Sequence, residues 1–190
     1  MGEKKSYKSF RFKAGVVWEG GRRGLITSAG KPDVMVGSPP EFKGEAGVWS
    51  PEELLVSSVN TCLMLTCLTL AQARGLEIAS YESSAEGLLK HTEDRYRITE
   101  VSVQPAITLK SPADLEKARS ITEKVEEQCF MTNSVSGKVK FSPQFKVGAA
   151  VVAGPQRSHT GGARVGQRAT GRSDSRRQLA RRKGERAWSS

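Results

Sequence analysis

The chain has 190 residues, 37% hydrophobic and 6% aromatic, with a formal net charge of +10. That length suits one domain, or one domain with an appendage, and the odd count of three cysteines argues against a disulfide-stapled secreted scaffold and for a reducing compartment. The charge is local: residues 147–190 hold nine Arg and Lys183 against Asp174 and Glu185, a net of +8, which leaves residues 1–146 at +2.

The opening MGEKKSYKSFRFK has no apolar h-region and does not read as a secretory signal. Its fit to the loose myristoylation pattern carries little weight. Phe10, Phe12, Ala14, Val16 and Trp18 share one parity, opposed by Ser9, Arg11 and Lys13, so a strand is predicted there. The run Gly20-Gly21-Arg22-Arg23-Gly24 is a turn, and Leu25–Ser28 is the return strand of a hairpin. A third short strand is expected around Asp33–Val36, followed by a loop through Pro39-Pro40 and Gly44–Gly47.

Ser50-Pro51-Glu52-Glu53 opens a helix: Ser50 caps, Pro51 suits the first helical position, and Glu53 completes a capping box. The helix is expected to run to about Arg74, where Gly75 stops it. Its middle is apolar or small nearly all round, but Ser57, Ser58, Asn60, Thr61, Thr66 and Thr69 are spread through it. A buried helix or a subunit interface therefore fits better than a membrane span. Ile78–Leu89 and Arg95–Leu109 read as paired strands, with Pro105 arguing for an edge or a bulge. A second helix starts at Ser111-Pro112-Ala113-Asp114 and ends near Gln128. Its apolar side carries Leu115, Ala118, Ile121, Thr122 and Val125. Cys129-Phe-Met-Thr-Asn-Ser is a turn, and Lys138–Lys146 is a closing strand. The order is α+β.

Two regions follow: a domain over residues 1–147 and a basic Arg/Gly/Ala-rich tail over residues 148–190. The tail lacks the apolar surface that would offset the entropy of ordering it, so it is expected to be disordered. It can bind phosphate polymers without sequence preference, or be a solvated appendage; no specific nucleic-acid partner is implied.

Among the cysteines, Cys62 and Cys67 share the first helix, where five residues at 100° each set them about 140° apart. They do not form a local pair. Cys67 reads as a small buried hydrophobe. The surroundings of Cys62 and Cys129 say more. Trp18-Glu19-Gly20-Gly21-Arg22-Arg23-Gly24, then Pro51-Glu52-Glu53-Leu54-Leu55, then Ser58-Val59-Asn60-Thr61-Cys62, then Cys129-Phe-Met-Thr-Asn-Ser resemble the OsmC/Ohr family, the osmotically inducible protein C and organic hydroperoxide resistance proteins. The resemblance covers about residues 10–146.

It implies antiparallel sheets around two long helices, in an intertwined cytoplasmic homodimer. It also implies a thiol peroxidase acting on organic hydroperoxides, with no cofactor and no metal. Carried over by position, Cys62 is the peroxidatic residue, Cys129 the resolving one, Glu52 the carboxylate and Arg22 the arginine, with Arg23 as the alternative alignment of the glycine-rich turn. The reductant would be a dithiol such as dihydrolipoamide. The chemistry is coherent: a guanidinium favours the thiolate and stabilises the departing alkoxide, and a carboxylate holds the guanidinium. Apolar walls would shelter a sulfenic acid from further oxidation. Ten residues of helix put Glu52 and Cys62 ~15 Å apart, so a site combining them would draw on two chains. Trp49, Phe130 and Cys67 depart from the family pattern. A binding protein of the same family, holding a small apolar ligand without peroxidase activity, is the alternative reading; a binder of anionic surfaces acting through the tail is a third.

Overall fold

The computed structural model describes residues 8–148, so the tail from residue 149 onward, with the disorder expected of it, lies outside the described residues. Strands β1 (Gly15–Gly20), β2 (Arg23–Thr27) and β3 (Val34–Gly37) form an antiparallel sheet in chain order. The hairpin turns through Gly20 and Gly21, both at positive φ (103° and 54°), which delivers Arg22 and Arg23 to its tip. The predicted strand starts later than its alternation suggested. Phe10 and Phe12 precede β1 and stand 76% and 95% exposed, because nothing among the described residues packs on that apolar row.

Helix α1 (Pro51–Ala73) begins at the expected residue. Ser50 Oγ accepts from the Glu53 N–H at 3.1 Å, and Glu53 Oε2 accepts from the Ser50 N–H at 2.8 Å, which completes the capping box. At the other end Gly75 takes a φ of 61°, and Leu76 N–H donates to Ala71 O while Gly75 N–H donates to Gln72 O, a Schellman closure. Val59, Leu63, Cys67 and Ala71 form a fully enclosed stripe, one residue per turn. By length and composition α1 could cross a bilayer, with a mean hydropathy of 1.8, but that stripe lies on a sheet as a core helix does.

The sheet is built on β4 (Ile78–His91) and β5 (Tyr96–Leu109), antiparallel to each other. Against the far side of β5 lie β6 (Lys138–Phe141) and then β7 (Gln144–Val147), both parallel to it. The second sheet is therefore mixed, and the single closing strand expected over Lys138–Lys146 is two strands broken at Ser142-Pro143. Pro105 is a correction. It is enclosed in the central strand, not at an edge. The carbonyls of Val103 and Leu109, residues of its own parity, face the β6 and β7 side. Its missing N–H thus points at the gap between those two strands.

The second helix is also shorter than its periodicity predicted. A single turn at Pro112–Asp114 leads into α2 (Leu115–Thr122), then α3 (Val125–Gln128). The Thr122 hydroxyl donates to Arg119 O at 2.9 Å, the carbonyl that Glu123 N–H also uses, and Lys124 N–H drops back to Ile121 O. This tightening interrupts the helix. It leaves Val125 and Cys129 facing the core with Ala118 and Ile121. Among the described residues, the core cluster, including residues partly packed against it, draws on nothing before Leu55. Sheet β1–β3 thus carries its apolar residues outside the core of its own chain, with Val16 71% and Trp18 75% exposed.

Candidate active site

The chain turns at Cys129, which ends α3 in an extended conformation (φ −77°, ψ 119°) and is completely buried. Asn133 N–H donates to Cys129 O at 3.1 Å and the Asn133 side chain to Glu127 O at 2.9 Å, which closes a tight loop. That loop folds its amides onto two sulfurs. Thr132 N–H points at Cys129 Sγ at 3.5 Å, and the N–H groups of Met131 and Phe130 address Cys62. Cys62, half-buried on α1, lies next to Cys129, and both are free thiols.

The two thiols titrate as a pair. Burial pushes Cys62 up, and Cys129 beside it pushes the same way against the amides of Met131 and Phe130. Burial also works against Cys129. There the Thr132 hydroxyl and N–H, the Cys62 thiol and the Met131 N–H together outweigh it, so that thiol is held down. The physical content is one proton shared between two sulfurs: the first leaves more readily than from a lone buried thiol and the second less readily. Cys67 is different. Burial alone pushes it up to about 11, it is 1% exposed, and it lies near Tyr81, whose hydroxyl burial pushes up to about 12. It packs in the core as a buried thiol.

Arg22 and Glu52 line a different groove without pairing with each other. The β1–β2 turn and the first turn of α1 line one groove of about 470 Å³, with Trp18 and Phe42 as its apolar walls. Arg22 donates to the Phe42 carbonyl, whereas Arg23 is taken by Glu45 in a 3.1 Å ion pair. Glu52 Oε2 is buried there without a hydrogen-bond partner. Within one chain, therefore, Cys62 lies by Cys129, Arg22 and Glu52 share a groove without an ion pair between them, and the two halves stay apart. The helix separates Glu52 from Cys62 by ~15 Å.

Sequence reasoning missed the groups that surround the sulfurs. Backbone amides leave no side-chain signature, and only the turn-like run after Cys129 hinted at them. Trp18 and Phe42 were readable as apolar residues but not as walls of one groove. No group of three or more His, Cys, Asp or Glu is placed to hold a metal ion among the described residues.

A sequence profile described as OsmC-like protein matches residues 44–144. The uncharacterized protein YmaD of Bacillus subtilis is 24% identical over 134 residues, covering 68% of this chain and 89% of YmaD. Among solved structures, an OsmC-like protein of unknown function from Vibrio cholerae superposes with a TM-score of 0.66 at 21% identity, over 72% of this chain and 100% of that one. An organic hydroperoxide resistance protein from Elizabethkingia anophelis superposes at 0.59 with 18% identity, over 74% of this chain and all of its own. These likenesses establish the fold.

Proposed function

Because the chain belongs to the OsmC-like protein family, we propose that it is a thiol-dependent peroxidase that reduces organic hydroperoxides in a reducing, cytoplasmic setting. The observation that carries this reading is the juxtaposition of a half-buried Cys62 with a buried Cys129, two free thiols that titrate as a pair. The Cys62 thiolate attacks the terminal oxygen of the hydroperoxide. The O–O bond breaks, the alkoxide leaves and takes a proton as the alcohol, and Cys62 becomes a sulfenic acid. Cys129 as thiolate then attacks that sulfur. An S–S bond forms and hydroxide departs as water. An external dithiol, dihydrolipoamide-like, returns two electrons by thiol–disulfide exchange.

Arg22 and Glu52 complete this site from a second chain in a homodimer. Three features support that arrangement: the ~15 Å of helix between Glu52 and Cys62, the unpartnered buried oxygen of Glu52 beside Arg22, and the exposed apolar residues of β1 and α1. A single-turnover assay with an alkyl hydroperoxide tests the chemistry. Cys62→Ser should consume no peroxide and Cys67→Ser should retain most of the activity. Cys129→Ser should react once and stop at a trappable sulfenic acid. A binding protein without peroxidase activity would show neither sulfenic acid nor a Cys62–Cys129 bridge in the wild type.

A further inference from the structure

The loop after α3 holds a hydroxyl that the reaction above does not use. Thr132 Oγ1 is buried without a hydrogen-bond partner, on the residue whose own N–H points at Cys129 Sγ. A buried, unpaired hydroxyl is costly and calls for a partner in some state of the site. Its surroundings hold it in place. Asn133 anchors the loop at both its main chain and its side chain, and the Ser134 hydroxyl donates to Phe130 O at 2.7 Å. Threonine is stiff at χ1, so the Oγ1 stays near the sulfur. Cys129 is completely enclosed, and a thiolate there has no water to solvate it. The Thr132 N–H already points at the sulfur at 3.5 Å, and the hydroxyl of the same residue adds a second donor.

We propose that Thr132 is a positioning residue for the second thiol: its hydroxyl donates to Cys129 Sγ once that sulfur is ionised, keeping Cys129 ready to attack a Cys62 sulfenic acid. The step served is the one already balanced, in which Cys129 displaces hydroxide from Cys62. The assignment rests on the peroxidase reading for that step alone; the stabilised thiolate is independent of it.

Two measurements on the full chain separate the two ideas. Ultraviolet thiolate absorbance is titrated between about pH 5 and 9, where the first thiolate of the pair is read, since burial pushes Cys67 up to about 11 and Tyr81 up to about 12. Thr132→Val should move the first midpoint of the pair up by about one pH unit, and Thr132→Ser should restore it, as expected for one lost hydrogen bond to a charged group. Single-turnover kinetics with an alkyl hydroperoxide, followed from the pre-formed Cys62 sulfenic acid, should show disulfide closure about tenfold slower near neutral pH. Thr132→Ala makes the same comparison if the valine variant does not fold. A Thr132→Val titration that overlays the wild type overturns the proposal, as does a shift that Thr132→Ser leaves in place. Should the wild type consume no hydroperoxide, the peroxidase reading falls and the titration alone decides the role of Thr132.

Discussion

Leu65 is the residue on which association of two chains can be tested most directly. It lies on the face of α1 opposite the enclosed stripe and is 55% exposed, with Leu68 on the same side at 36%. Full burial of a leucine is worth ~1.5–3 kcal/mol, so covering the exposed half of Leu65 contributes ~1 kcal/mol per chain. A symmetric interface counts it twice, and Leu65→Ala should weaken a dimer by ~2 kcal/mol, about 30-fold in Kd. The folded chain should tolerate the change, because alanine is at least as good a helix former and the side chain is outside the core. Sedimentation over a dilution series reads the Kd, and urea unfolding at high concentration checks the fold. A Kd within about threefold of wild type would refute the reasoning. So would a wild type that sediments as a monomer at micromolar concentration.

Two further outcomes are expected. Mixing Cys62→Ser chains with Arg22→Ala chains, each inactive as a homodimer, should restore about half the wild-type activity per heterodimer if sites are shared, since one site then holds both native groups; no recovery would place each site within a single chain. At Gly87 on β4, an added Cβ would come within 2.4 Å of Val56 Cγ2 on α1, and a β-branched side chain on a helix has little freedom to move aside. Gly87→Ala should therefore destabilise the chain by about 1–3 kcal/mol in urea unfolding, and an unchanged midpoint would show that the helix and sheet are not packed as described.

Local signals settled what is local. Ser50, Pro51 and Glu53 named the start of α1, and Gly75 its end, because capping is decided by a few adjacent residues and their own backbone groups. The order of strands and helices was legible for the same reason. Periodicity alone misjudged Phe10 and Phe12, whose alternation defines a face but cannot say whether anything covers it. Pro105 looked like an edge residue until the break between β6 and β7 showed where its missing donor points. The interruption between α2 and α3 depends on a hydroxyl competing for one carbonyl, which no apolar pattern records. The site divides along the same line. Cys62, Cys129, Arg22 and Glu52 could be picked out as residues from their motifs. Their grouping into Cys62 with Cys129 and Arg22 with Glu52 is set by how α1, the α3 turn and the β1–β2 hairpin pack. The amides of Phe130, Met131 and Thr132 belong to the tertiary structure entirely, since their influence on sulfur comes from backbone direction and burial and not from side-chain identity.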